Sequence, residues 1–346
     1  MNKAILASIL ASAAISGHAV AMSNTPDPVP EPTAAPGKVV RFIAVGDTGT
    51  GEDGQYKVAA VIKDICASRG CDFAIGLGDN IYEAGADSTS DIQFETKFED
   101  PYAELGFPFY MALGNHDNSW LIGGDGLDND KGDVQVAYHY KNDRKSDKWH
   151  MPARYYAFTA PANDINPLAE FYALDSNPLA AVADADPEYW QFPYRKKQAN
   201  WFNLAIQNST APWKIAFAHH PYLSNGKHGN AGMYDGFPGA GVIYRNFLKD
   251  NVCDRVDLLI AGHDHEMQWL KPTDSCGKTG HMVSGAGAKT RELKDRERND
   301  AYWQADGVLG FFYIELEGDE LRGTAYTVDK VSGEYQAAFS QTLQRQ

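Results

Sequence analysis

Apolar positions in this chain cluster into short runs separated by longer amphipathic stretches. "VVRFIAV" (39–45), "FAIGL" (73–77) and "FPFYMAL" (107–113) are almost continuous in Val, Ile, Phe, Leu and Ala. "EFYAL" (170–174), "WKIAFA" (213–218) and "VDLLIA" (256–261) repeat the pattern further on. Runs this short, rich in β-branched and aromatic residues, predict strands. Between them, "QYKVAAVIKDICAS" (55–68), "RKKQANWFNLAIQN" (195–208) and "GVIYRNFLKD" (241–250) space their apolar residues as helices do. The stretch "GFFYIELEGDELRGTAYTV" reads as a hairpin turning at the polar "EGDE". Strands alternating with helices and followed by a hairpin predict a layered α/β domain with a mixed sheet.

Three segments depart from this pattern. Residues 1–21 combine Lys3, the apolar "AILASILASAAI" and the small-residue site Ala19-Val20-Ala21. They read as a secretory signal cleaved near Ala21, because the apolar run is too short to span a bilayer. No later segment is long and apolar enough to span. Residues 22–37, "MSNTPDPVPEPTAAPG", read as a Pro-rich linker, which leaves 38–340 as the folded domain. The Gly- and Asp-rich stretch 118–149 is longer than most connections and reads as a functional rim or a mobile loop.

An export signal changes how the cysteines are read. Cys66, Cys71, Cys253 and Cys276 allow three pairings, and the sequence-local Cys66–Cys71 and Cys253–Cys276 are favoured. A zinc cluster lacks the C-x-x-C spacing it would need. The formal charge of −15 becomes −16 once Lys3 is removed with the signal. So acidic a chain has no basic stripe for a nucleic acid, yet a local metal charge would still admit a small anion.

The chemistry lies just past the strands. Gly46-Asp47 follows the first run, Gly78-Asp79-Asn80 with Tyr82 the second, and Gly114-Asn115-His116-Asp117 the third. His219 and His220 follow "WKIAFA", with His228 beyond, and Gly262-His263-Asp264-His265 follows "VDLLIA". In open α/β sheets, ligand sites form at the carboxyl ends of strands. Carboxylates, an amide oxygen, a phenol and imidazoles together make a donor set for first-row metals, too large for one tetrahedral ion. Any single Gly-Asp is more often a plain turn, and Tyr82 alone could simply be a packed ring. The weight rests on five such pieces in order.

That order resembles the calcineurin-like metallophosphoesterases, and more closely the small, tartrate-resistant type of purple acid phosphatase. The family pattern GD-x-G, GD-x-x-Y, GNH-[DE], H-x-P and GH-x-H is matched by Asp47, Asp79 with Tyr82, Asn115-His116, His219 and His263 with His265. The resemblance spans about residues 38–335 and includes "VSGAGAK" (283–289). It implies a four-layer α/β/β/α sandwich with two mixed β-sheets and a metal site at the strand C-terminal ends. It also implies that Asp47, Asp79, Tyr82 and His265 hold Fe(III), while Asp79, Asn115, His219 and His263 hold a divalent Fe, Zn or Mn. His116 and His228 would be the catalytic residues that contact substrate. Ala218 stands where the family more often has Gly, and the adjacent His220 leaves a one-residue slip open. His139, His150 and His281 have no motif context.

Two metals can clamp an in-line phosphoryl displacement and supply hydroxide, so no Ser or Cys nucleophile is needed, and G-x-S-x-G is absent. The resemblance therefore implies a secreted (periplasmic or extracellular) acid phosphatase whose partner is a small phosphorylated substrate. A phosphodiesterase or nucleotide hydrolase on the same centre is the alternative. A non-catalytic phosphate- or metal-binding protein stands further off.

Overall fold

The computed structural model describes residues 37–181 and 184–345. The expected signal and nearly all of the expected linker lie outside the described residues. Among the described residues, fourteen strands form two seven-stranded sheets. The first sheet contains β1 (Val39–Val45), β2 (Phe73–Leu77), β3 (Phe109–Ala112) and the two-residue β4 (Trp149–His150). The second holds β5 (Tyr156–Ala160), β6 (Ala169–Ala173), β7 (Trp213–Ala218), β8 (Leu258–Ala261), β9 (Met267–Leu270), β10 (Gly280–Ser284) and β11 (Ala301–Ala305). The chain then returns to the first sheet as β12 (Leu309–Glu317), β13 (Glu320–Val328) and β14 (Tyr335–Gln344). The spatial orders are β14-β13-β12-β1-β2-β3-β4 and β11-β9-β10-β8-β7-β6-β5, with parallel and antiparallel pairs in both.

The period of two explains the layering. In β7, Ile215 and Phe217 point into the core shared by the sheets, whereas Ala216 and Ala218 point to a second core beneath helices. In β8, Leu258 and Ile260 face inward and Leu259 faces the helices. That second core is filled by α3 (Gln191–Asn208) and α4 (Val242–Asn251) through Phe202, Ile206, Phe247 and Leu248. On the other side α1 (Asp53–Arg69) buries Val58, Val61, Ile62 and Ile65 against the first sheet. The result is the expected helix, sheet, sheet, helix order. Both faces of β7 and β8 are buried, which is why their sequences carry no polar alternation.

The structure differs from the sequence reading in several places, and β4, β5, β9, β10 and β11 are strands the sequence reading did not mark. The stretch 118–149 is not one loop, since α2 (Asp130–His139) occupies its middle. The hairpin turn is only Gly318-Asp319, because Glu317 pairs with Glu320 in the ladder. A further strand, β14, pairs along β13 to Gln344, past residue 340. Both local disulfides form, Cys66–Cys71 with Cα atoms 5.1 Å apart and Cys253–Cys276 with 4.5 Å. No helix among the described residues is long and apolar enough to cross a membrane.

Candidate metal centre and substrate cleft

The carboxyl ends of β1, β2, β3, β7 and β8 converge at one end of the seam between the sheets. The turns there are tight. A Cβ on Gly114 would lie 2.2 Å from Asp79 Oδ1, and one on Gly262 would lie 2.5 Å from Asp47 Oδ2. Asp47, Asp79 and His263 themselves take left-handed backbone angles, φ 59°, 53° and 71°. Such angles are uncommon outside glycine and least costly for Asn, Asp and His.

The donors fall into two groups that meet at Asp79. In the first, the Tyr82 hydroxyl donates to Asp47 Oδ1 (3.1 Å) and lies 3.2 Å from His265 Nε2, itself 3.3 Å from Asp47 Oδ1. Ligand atoms of Asp47, Asp79 and His265 all lie within 4.8 Å of one another. In the second, Asn115 Oδ1 lies 2.7 Å from His219 Nε2 and 3.0 Å from His263 Nδ1. His263 Nδ1 is 3.0 Å from His219 Nε2, which is 3.4 Å from Asp79 Oδ1. All seven residues of the sequence-derived metal set are therefore assembled. His219 reaches the cluster, while His220 turns away, with its Nδ1 2.8 Å from Ser176 Oγ.

The chemistry of the second group fits a cation. His219 Nδ1 lies 2.9 Å from the Leu77 carbonyl, so Nδ1 carries the hydrogen and Nε2 presents a lone pair. Asn115 Nδ2 donates to the Gly124 carbonyl (2.9 Å), so Oδ1 presents lone pairs too. Two lone pairs 2.7 Å apart have no hydrogen to share, and a bound metal would resolve the contact. The first group is equally crowded. Burial pushes the Asp47 carboxyl up to about 7 against the pull of His219, with Asp79 adding to the rise. Burial opposes ionisation of Asp79 as well, but His219, His116 and the His116 amide hold it down at about 2. Burial, then Asp47 and Asp79, raises the Tyr82 phenol well above its ordinary value. A trivalent ion would invert that logic and favour the phenolate.

Two aspartates without a sequence-derived role hold the scaffold. Asp117 accepts the amides of Asn80 (2.9 Å), Ile81 (3.0 Å) and Gly114 (2.8 Å), tying the β2 loop to the β3 loop. Asp264, between the two histidines, accepts the His228 amide (2.8 Å) and the Ser224 hydroxyl. It thereby hangs the segment 224–229 from the loop that carries His263 and His265. Each sits beside a ligand-type residue, but only the fold reveals what its carboxylate grips.

A cleft of about 310 Å³ opens over this centre, lined by Asp79, Asn115, His263 and His265 and by both expected catalytic histidines. His116 Nδ1 meets the Glu83 carbonyl at 2.7 Å, and its amide donates to Asp79 Oδ1 (2.9 Å). The ring lies edge-on to Tyr82, and its Nε2 would be 2.8 Å from a Cβ on Gly124 at the cleft wall. The His228 ring lies 4.2 Å from that of His263 between centres, tilted by 36°, with Nδ1 2.8 Å from Asp235 Oδ1. Lys227, Lys289 and Arg291 add cations that the sequence reading missed. Lys289 pairs with Glu83 (2.9 Å) across the Tyr82 ring, and Arg291 Nη1 lies 2.9 Å from His228 Nε2. His281 lies elsewhere, its ring nitrogens buried without a hydrogen-bond partner among the described residues.

Known proteins carry the same framework. Residues 40–267 match the sequence model of the family described as calcineurin-like phosphoesterase. Tartrate-resistant acid phosphatase type 5 of Rattus norvegicus is 25% identical over 310 residues, covering 83% of this chain and 86% of the relative. Purple acid phosphatase 3 of Arabidopsis thaliana is 28% identical over 300 residues, covering 84% and 75%. Among solved structures, the purple acid phosphatase PPD1 of yellow lupin superposes with a TM-score of 0.59 at 17% identity, covering 90% of this chain and 55% of PPD1. GAP50, described as the anchor in the inner membrane complex of Plasmodium, gives 0.67 at 21%, covering 89% of each chain. These two structural likenesses are likenesses of fold. The family match runs over well more than half of the chain and over every strand end that carries a donor, and the chain belongs to the calcineurin-like phosphoesterase family.

Proposed function

We propose that this protein is an exported phosphatase that hydrolyses phosphomonoesters at a binuclear centre of Fe(III) and a divalent Fe, Zn or Mn. The observation that carries the reading is the pair of donor groups sharing Asp79, one rich in oxygen and phenol, the other in imidazole. Asp47, Tyr82 and His265 with Asp79 would hold the harder ion, and Asn115, His219 and His263 with Asp79 the softer one. When bound, two such ions supply charge for the phosphoryl oxygens and an acidified water. The chain's own residues do the rest. His116, as the imidazolium, is the proton donor to the leaving oxygen: its Nδ1–H donates to the Glu83 carbonyl, and its Nε2–H, which borders the cleft, is the proton transferred. Asp79 also receives the His116 amide, which fixes the proton donor relative to the shared ligand. His228 closes the opposite wall.

The acid phosphatase relatives support a monoester substrate, and the complete donor set with His116 supports turnover over mere binding. Metal analysis of the purified protein, its visible spectrum and kcat/KM on a mono- and a diester of one phenol test the reading. The expected result is two metals per chain, an absorption band from Tyr82 phenolate to Fe(III), and monoester preference. A colourless, iron-free protein inert on both esters refutes it.

A further inference from the structure

Arg291 is placed by its backbone against the metal-facing loop. Its amide donates to the His265 carbonyl (3.0 Å), and its own carbonyl accepts the Gly307 amide (3.2 Å). The side chain reaches the cleft, where Nη1 donates to His228 Nε2 at 2.9 Å. That contact fixes the imidazole. Its Nε2 must offer a lone pair, so its hydrogen sits on Nδ1 and points to Asp235 Oδ1 (2.8 Å). The nitrogen of His228 that would face a substrate is therefore already engaged, and the cation presented at this wall is the guanidinium.

Of the three cations that line the cleft, Lys227, Lys289 and Arg291, Arg291 is the one whose side chain donates to His228. Lys289 has Glu83 at 2.9 Å, whereas Arg291 makes no ion pair among the described residues. A guanidinium carries five N–H donors in a planar fork, and one contact to His228 leaves donors free for an oxyanion. In a chain of formal charge −15, a fixed charge at this spot matters most for a dianion.

We propose that Arg291 contacts a non-bridging oxygen of a phosphomonoester and sets the preference for monoesters over diesters, with His228 as its positioning residue. The inference rests on the phosphatase reading and deepens it. A monoester has three non-bridging oxygens and two charges, so it offers Arg291 one oxygen and one charge more than a diester does. A diester has only two non-bridging oxygens and one charge, and gains little from the arginine.

The test compares wild type, Arg291→Ala, Arg291→Gln, His228→Ala and the Arg291→Ala/His228→Ala double variant. Readouts are kcat/KM on p-nitrophenyl phosphate and bis(p-nitrophenyl) phosphate, metal content, and inorganic phosphate binding by calorimetry. Arg291→Ala should lower monoester kcat/KM by roughly 10²-fold, the scale of one lost oxyanion donor, and the diester value by about tenfold or less. Arg291→Gln, which keeps a donor toward His228 without the charge, should not restore the monoester. The double variant should be no slower than Arg291→Ala alone, because His228 acts through the arginine. Equal losses on both esters, rescue by glutamine, or losses that multiply in the double variant would each overturn the assignment. Wild type inert on both esters refutes the phosphatase reading instead. Phosphate affinity then decides on the arginine separately: weaker binding in Arg291→Ala upholds the contact and unchanged binding overturns it.

Discussion

The two sheets bring different chemistry to one seam. The loops after β1, β2 and β3 of the first sheet supply oxygen: Asp47, Asp79, Tyr82 and Asn115. The loops after β7 and β8 of the second supply nitrogen: His219, His263 and His265. Neither sheet holds a complete donor group. His265 crosses over to join Asp47 and Tyr82, and Asp79 crosses to meet His219. The site therefore depends on how the sheets are registered against each other, and hydrogen bonds fix that register beside it. Ser284 Oγ donates to the Ala44 carbonyl (2.8 Å), Gly46 N to the Ser284 carbonyl (2.9 Å), and His263 N to Asp47 Oδ2 (2.8 Å). Further along the seam the contact is aromatic, with Phe42 and Phe73 of the first sheet each 5.1 Å from Phe171 of the second. Aromatic packing supplies adhesion, but polar stitches specify position, and a metal site needs the second.

The comparison can be broken most completely at the shared ligand. Asp79→Ala should empty both donor groups, and kcat/KM should fall about 10⁴-fold or more, as expected when several kcal/mol of charge stabilisation is lost. Retention of one full equivalent of metal in that variant would mean that Asp79 is not shared. On the nitrogen side alone, His263→Ala should lose the divalent ion, keep the colour, and lower activity by roughly 10³-fold on aryl and alkyl esters alike. Bleaching in this variant would erase the division between the sheets.

His116 belongs to the oxygen sheet, but its proposed task is at the leaving group. His116→Ala should keep both metals and lose about 10²–10⁴-fold on alkyl phosphates, with a smaller loss on an activated aryl phosphate. Equal losses on the two would assign His116 another task. Tyr82→Phe should abolish the visible band while costing less activity than any of these changes, since three donors remain in its group; an unchanged spectrum would remove the phenol from the metal.

The smallest effect concerns stability after chelation. Asp47 holds its proton up to about 7 in the fold, against an ordinary 3.8. The stabilisation this represents is complete below the ordinary value and is lost as pH rises through 7. Metal-free protein should thus melt at progressively lower temperature from pH 4 to 7, and Asp47→Asn should flatten that slope. A slope unaltered by the substitution would place its origin elsewhere, with Asp117, raised to about 6 by burial and then Asp79, next in line.

The donors were legible in the sequence because each strand end is a local unit: an apolar run, a glycine, then a polar ligand. Several of the central strands were legible for the same reason, as apolar runs, whereas the division into two sheets and four layers came only from the family resemblance. What escaped depends on distant partners. Arg291 follows β10 in a loop with no motif, and only the fold brings it to His228, 63 positions away. The strand β9 was hidden because it begins two residues after His265. β14, largely exposed and mixed in composition, has no periodic signal and owes its existence to the edge that β13 offers. Helix α2 was masked by the Gly and Asp residues around it.

Asp264 gives the centre a mechanical linkage. Its neighbours in sequence reach one donor group each, and its carboxylate carries the amides of His228 (2.8 Å) and Gly229 (3.3 Å). On the proposed function, the wall that would meet substrate is suspended from the floor that would bind metal. Any tightening of His263 or His265 is transmitted through one side chain to a loop that touches neither ion. Hydrogen exchange at those two amides would then slow on metal loading, so the solvent protection of a substrate loop becomes a gauge of ions it never contacts.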